Sequence, residues 1–245
     1  MKESVPTQIQ ENLFKRGDSL IGVILLDTSF PRLLGDVGNP NTFPFPVIYE
    51  RVEGAIPFRV VKERDRSLLS PLIEGARVLQ RRGAKAITTS CGFLAIWQKE
   101  IASAVDIPVF TSSLLQVPWA YQITGRRGRI GILTVDGASL TEAHFEGVGA
   151  KGIPMIVRGM KPGSEFYRVY IENSPNIDVS KAGREMVAEA AALVNEHPDI
   201  SGLVLECANM PVFRKAVRDT VKVPVFDIVT LTYFIWSSIV TGDFD

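Results

Sequence analysis

The sequence predicts an α/β protein of two similar lobes, each a roughly four-stranded parallel sheet flanked by helices, the lobes related by a pseudo-twofold axis. Short β-branched apolar runs alternate with amphipathic stretches along the whole chain, the pattern of parallel strands joined by right-handed helical crossovers. An internal repeat gives the second observation. Cys91 and Cys207 are 116 residues apart (207 − 91), and so are Pro108-Val109-Phe110 and Pro224-Val225-Phe226 (224 − 108). The third is the backward extension of that repeat: Ile21-Gly22-Val23-Ile24-Leu25-Leu26-Asp27 parallels Ile130-Gly131-Ile132-Leu133-Thr134-Val135-Asp136 at a spacing of 109 (130 − 21). Three matches in one order imply two copies of one unit.

Strands are expected over Ile21–Asp27, Pro46–Val52, Ala86–Cys91, Pro108–Thr111, Arg129–Val135, Met155–Met160, Gly202–Cys207 and Val223–Asp227. Helical patterns cover Leu68–Arg82, Leu94–Val105, Leu140–Val148, Val179–Glu196, Pro211–Thr220 and Val229–Val240. The first lobe takes residues 1–112 with 228–245 and the second 113–227, with an active site between them. Pro162-Gly163 through Pro175 reads as a lid or connector.

Apolar residues at 46%, charged residues at 22%, and 27 basic against 27 acidic side chains describe an ordinary globular chain with no basic face for nucleic acid or a membrane surface. The local run Arg126-Arg127-Gly128-Arg129 reads as a solvated turn. Met1–Asp18 is polar and of mixed charge, unlike a secretory leader, and the apolar segment Ile228–Val240 is too short to span a bilayer. A cytoplasmic protein is expected, its two cysteines reduced rather than bridged. Two cysteines cannot complete a four-ligand zinc site, and His144 and His197 lie near neither in sequence, so neither metal nor cofactor is expected. No glycine-rich phosphate turn follows the first strand, where Leu26-Asp27-Thr28-Ser29 stands.

In open parallel sheets ligands bind beyond the carboxyl ends of the strands, and both cysteines fall at that end of the third strand of their lobe, where a helix begins. Lobes facing tip to tip would set the thiols on opposite sides of one cleft. A cysteine closing a buried strand is ordinarily a small hydrophobe. Two at equivalent points of a repeat, with none elsewhere, point to chemistry: Cys91 and Cys207 as a catalytic acid/base pair. A helix N-terminus supplies unpaired N–H groups that favour thiolate and can bind a carboxylate. Ser90, Gly92 and Phe93 around the first cysteine, and Ala208 and Asn209 after the second, are therefore expected to meet substrate. Glu206 is expected to point away from Cys207 into a surface or inter-lobe salt bridge, because neighbours alternate along a strand. The polar loop Phe30–Phe43 leaves the carboxyl end of the first strand; Arg32 can fork onto a carboxylate there, with Asn39, Asn41 and Thr42 as hydrogen-bond donors. Thr134, with Ser139 behind it, is the corresponding candidate in the second lobe.

At these residues the chain resembles the aspartate/glutamate racemase superfamily, which includes hydantoin racemases, maleate isomerases and arylmalonate decarboxylases. The resemblance covers nearly the whole chain: two lobes and one cysteine after the third strand of each, followed by a small or polar residue. It implies cofactor-independent chemistry in which one thiolate removes the proton α to a carboxylate and the opposite thiol delivers a proton to the other face. It further implies a small carboxylate-bearing substrate, with no nucleic-acid or membrane partner and a homo-oligomer compatible. The pair of cysteines is similar to the racemase branches, so racemisation of an amino acid or a related α-carboxylate or hydantoin is the expected reaction. Glutamate racemases carry Thr-His after the second cysteine and Asn-Thr after the first; Ala208-Asn209 and Gly92-Phe93 stand here instead, which argues against a dedicated glutamate racemase. The Asn39-Pro40-Asn41-Thr42 string is similar to one in the hydantoin-racemase branch. Alternatives are an isomerase or decarboxylase on the same scaffold, or a non-catalytic two-lobed binding protein, which would not need the thiols.

Overall fold

The structure, a computed structural model, describes residues 20–239; the expectations resting on Met1–Asp18 and on Val240 lie outside them. Two four-stranded parallel sheets form. β1 (Leu20–Leu26), β2 (Val47–Val52), β3 (Ala84–Thr89) and β4 (Val109–Phe110) lie in the order β2-β1-β3-β4. β5 (Arg129–Thr134), β6 (Met155–Gly159), β7 (Ile200–Leu205) and β8 (Val225–Phe226) lie in the order β6-β5-β7-β8. The two orders are the same, and so is a detail of register. Leu20 pairs with Ala84 but Ile21 with Ala86, skipping Lys85; Arg129 pairs with Ile200 but Ile130 with Gly202, skipping Ser201. The repeat seen in the sequence is thus a repeat of structure down to one unpaired residue.

The central strands are covered on both faces, so β1 and β5 read as almost unbroken aliphatic runs, while the edge strand β2 is half-buried and carries Glu50 and Arg51. Helix α1 (Leu69–Arg81) buries Leu72, Gly75, Ala76 and Leu79, a stripe at helical spacing. The helices after the cysteines depart from expectation. Instead of continuous helices over Leu94–Val105 and Pro211–Thr220, each begins with a tighter 3₁₀ turn. Gly92–Trp97 precedes α2 (Gln98–Ala102), and Met210–Phe213 precedes α7 (Arg214–Thr220). Each turn opens identically, with Leu94 N–H donating to Cys91 O (3.1 Å) and Met210 N–H to Cys207 O (3.0 Å). Apolar periodicity is blind to this, because a 3₁₀ turn buries the same residue types at nearly the same spacing.

Between these run α3 (Val117–Ile123), α4 (Glu142–Gly147), α5 (Glu165–Tyr170) and α6 (Val179–Glu196), and α8 (Ile228–Ile239) follows the second sheet. The segment read as a lid contains α5, started by Ser164, whose hydroxyl accepts from Tyr167 N–H. Phe166, Val169 and Tyr170 of α5 are buried, so this stretch is part of the core. One continuous core joins both sheets, from Ile24 and Ile87 to Ile132 and Leu203. A second cluster packs Ile228, Val229 and Trp236 of α8 on Ile21, Val23 and Phe110 of the first sheet.

The lobes also meet backbone to backbone. A Cβ added to Gly147 of α4 would lie 2.2 Å from the carbonyl oxygen of Ala95 in the turn after Cys91. Gly147→Ala should therefore lower the melting temperature by the equivalent of about 1–3 kcal/mol, the usual cost of overpacking. Gly202→Ala, whose added methyl meets only ordinary contacts from 3.4 Å outward, should change stability little; equal melting temperatures for the two variants would show that the lobes do not depend on this approach.

Candidate active site

The carboxyl ends of β1, β3, β5 and β7 converge on one cavity of about 20 Å³, room for little more than a water molecule. Thr28 and Phe30 follow β1, Ser90 to Phe93 follow β3, Val135 follows β5, and Cys207 and Asn209 follow β7; Tyr170 of α5 closes the wall. Both cysteines are free, each only 8% exposed, and both border this space. Among the described residues no charged side chain lines it. Phe30 and Tyr170 meet edge to face with ring centroids 4.9 Å apart.

A chain of contacts runs from the first lobe to the second cysteine. Cys207 Sγ donates to Asn209 Oδ1 (3.5 Å), and Asn209 Nδ2 donates to Asp36 Oδ2 (2.6 Å). Asp36 is 1% exposed and paired with Arg32, whose Nη1 reaches both carboxylate oxygens at 3.2 Å. Arg32 also donates to Thr28 Oγ1 (2.9 Å) and lies over the Phe30 ring, 4.7 Å from its centroid. Arg32, read as a fork for substrate, is thus held behind the cavity wall by Asp36 and Thr28. The loop residues are likewise engaged within the loop. Asn39 Nδ2 donates to Arg32 O (2.7 Å), Asn41 N–H to Asn39 Oδ1 (2.8 Å), and Thr42 Oγ1 takes Gly35 N–H while donating to Asp36 O (2.6 Å). Gly35, at φ +101°, sits against the backbone of Val212 beyond Cys207, where a side chain has no room. These polar groups shape the loop that presents Asp36, and Asn39, Asn41 and Thr42 do not line the cavity.

Of the remaining expected residues, Ser90, Gly92, Phe93 and Asn209 border the cavity, whereas Ala208 packs with Ile21 and Val23. Thr134 gives its hydroxyl to Glu206 Oε2 at 2.7 Å. Ser139 bonds Asp136 at 3.1 Å, next to the cross-lobe ion pair of Asp136 with Lys62. The expected salt bridge of Glu206 does not form. Its side chain is fully buried, bonded only to Thr134, with Oε1 unpartnered. It lies against Gly92, where an added Cβ would be 2.3 Å from both Glu206 O and Oε1. Alternation misled here because β7 ends at Leu205, so the pleat no longer fixes the direction of the next residue.

The expectation of thiolates is also corrected. Burial pushes the Cys91 thiol up to about 12, helped by the Glu206 charge and opposed by Phe93 N–H, Arg32 and Leu94 N–H. Burial and then Glu206 push Cys207 well above the ordinary thiol range; Asn209 N–H opposes, and Cys91 and Asp36 add to the rise. A helix start favours thiolate, but in so closed a site desolvation outweighs it, so both sulfurs rest as neutral thiols. Burial likewise raises Glu206 to about 7. Asp36, Thr28, Tyr170 and Glu206 were missed as site residues. The one signal for Glu206 was a lone acid ending the apolar run Leu203-Val204-Leu205 beside a cysteine. Among the described residues no group of three or more His, Cys, Asp or Glu could hold a metal ion, and no helix is long and apolar enough to cross a membrane.

Arg32→Ala would leave the buried Asp36 without its cation. The expected result is a loss of about 3–5 kcal/mol in urea unfolding, as for a broken buried ion pair. A stable variant with only a weakened substrate affinity would instead make Arg32 a substrate ligand.

Known proteins bear on this site. Dimethylsulfoniopropionate lyase from Durusdinium sp. clade D is 31% identical over 227 residues, 88% of this chain and 73% of that protein. Dimethylsulfoniopropionate lyase 7 from Emiliania huxleyi is 30% identical over 223 residues, and this chain spans 64% of its length. Solved structures share the fold. Unliganded arylmalonate decarboxylase aligns at TM-score 0.56 and 16% identity, covering 91% of this chain and 93% of its own. A glutamate racemase isoform from Bacillus anthracis aligns at 0.58 and 18%, covering 93% and 85%. The match to the Asp/Glu/Hydantoin racemase family runs over residues 49–233, from the edge strand of the first sheet into α8, and with it the chain belongs to that family.

Proposed function

We propose that this protein is a lyase that removes the proton α to a carboxylate with a cysteine and expels a sulfonium group from the β-carbon, as in cleavage of dimethylsulfoniopropionate. The observation that carries this reading is the lining of the cavity, which has to widen beyond its volume of about 20 Å³ to admit a substrate: two thiols and three aromatic rings, Phe30, Phe93 and Tyr170, with no charged side chain among the described residues there. The α-ammonium of an amino acid calls for a carboxylate, which this lining does not offer among the described residues, and the Ser90, Thr28 and Asn209 oxygens already accept from Leu26 N–H, Arg32 and Cys207. A dimethylsulfonium donates no hydrogen bonds and is attracted to aromatic faces. Its positive charge also favours ionisation of a thiol that burial otherwise keeps neutral. Ser90, Thr28 and Asn209 supply polar contacts for the carboxylate, and the similarity to dimethylsulfoniopropionate lyases points the same way.

The step balances without a cofactor. The α C–H pair becomes the C=C bond, the β C–S pair leaves on sulfur as neutral dimethyl sulfide, acrylate remains, and the thiolate holds the proton. Cys91 is the better base of the two. Two backbone N–H groups and Arg32 ease its ionisation, whereas the Cys207 thiol donates a hydrogen bond to Asn209 Oδ1 and faces Asp36. The second reading, racemisation, is favoured by the equivalent placement of the two cysteines.

Release of dimethyl sulfide and acrylate from dimethylsulfoniopropionate, followed by gas chromatography and NMR, tests the proposal. Cys91→Ser should lower the rate on the order of 10²–10⁴-fold, the worth of a positioned base, and Cys207→Ser should lower it less. The reverse order would move the base to Cys207. No release, together with deuterium exchange at the α-carbon of amino acids, would replace the lyase with a racemase.

A further inference from the structure

The fully buried carboxyl of Glu206 has no part in the step above, yet it occupies the floor between the two cysteine segments. Each element packed on it contributes one group. From β5 the Thr134 hydroxyl donates to Oε2; from the turn after Cys91 the Gly92 backbone presses on Oε1 and on the carbonyl; and Cys207 follows in the chain. From the 3₁₀ turn Ser113–Gln116, the Ser113 hydroxyl donates to Leu205 O (2.7 Å) and reaches Glu206 O (3.4 Å). Among the described residues none of these groups is a cation and Oε1 has no partner. An ionised carboxylate here would hold its charge on one hydroxyl donor alone, which burial penalises heavily.

The position is specific to one copy of the repeat. Ser90 stands where Glu206 would fall in the first lobe, and its hydroxyl accepts Leu26 N–H at 3.0 Å. The first lobe therefore offers its cysteine a neutral neighbour and the second an acid. The Glu206 charge is the largest unfavourable influence after burial on both thiols.

We propose that Glu206 is a positioning residue of the two-thiol site: as a neutral acid it seats the Gly92 turn against the second lobe and adds no charge beside the sulfurs, and on losing its proton it makes both sulfurs harder to ionise. Its effect on turnover rests on the lyase reading; its effect on the thiols does not. The rise of thiolate content with pH is opposed in this protein as Glu206 loses its proton around pH 7.

The test is the rate at which iodoacetamide alkylates Cys91 and Cys207 in the whole protein, resolved by peptide mass spectrometry across pH. Glu206→Gln keeps the shape and an acceptor for Thr134 without the charge. It should match wild type at about pH 6 and alkylate roughly tenfold faster at about pH 9, where wild type carries the charge that opposes thiol ionisation. Superimposed profiles would overturn the proposal and leave Glu206 as packing. Thr134→Val provides a second route if the Gln variant does not fold. Removing the donor that favours carboxylate should keep Glu206 neutral to higher pH and carry the onset of the slowing upward; an unmoved onset overturns the proposal equally. With dimethylsulfoniopropionate as substrate, Glu206→Gln should show a higher kcat than wild type at alkaline pH and an equal one at about pH 6. Alkylation profiles that separate while neither protein cleaves the substrate would sink the lyase reading and leave the role of Glu206 standing.

Discussion

The site depends on one close approach, that of the turn after Cys91 to the second lobe. Gly92 meets the Glu206 backbone and carboxyl, and Gly147 meets the Ala95 carbonyl, at separations no side chain would permit. These contacts hold the strand ends of one sheet against those of the other and shrink the space between the thiols to about 20 Å³. Enclosure of that degree governs the chemistry. It desolvates both sulfurs, raises their pKa values and makes any neighbouring charge count for more than it would in water.

The scaffold is symmetric and the site is not. Strand order, the skipped residue in each sheet and the 3₁₀ start of each cysteine helix recur in both copies. Around the cysteines the copies diverge, with Ser90 opposite Glu206, Gly92 opposite Ala208 and Phe93 opposite Asn209. Cys207 is tied through Asn209 to Asp36 and Arg32, whereas Cys91 is cradled by backbone N–H groups. Racemisation asks two thiols to exchange roles from one direction to the other, which suits near-equivalent surroundings. Elimination asks one base to act and a neutral group to leave, which unequal surroundings serve well.

The loop Phe30–Phe43 spends most of its polar side chains on its own backbone. Asn39, Asn41 and Thr42 close on the loop itself, and Arg32 pairs with Asp36. What the loop delivers to the other lobe is Asp36, a buried carboxylate that orients Asn209 and through it Cys207. Short polar side chains in an irregular segment satisfy nearby backbone groups first, because those partners are within reach whatever the rest of the fold does.

By itself the sequence determined the alternation of strand and helix, the duplicated unit and the placement of each cysteine at the carboxyl end of a third strand. All three are local or periodic properties, carried by apolar spacing and by identities at a fixed offset. The 3₁₀ starts escaped it because they bury the same residues as an α-helix. The thiol protonation states and the roles of Glu206, Asp36 and Arg32 were decided only by tertiary structure. Asn209 meets Asp36 across 173 residues of chain, and Glu206 meets Thr134 across 72. A pKa or a hydrogen bond in a buried site is set by which distant groups arrive there and by how completely water is excluded, and neither is written in the neighbours along the chain.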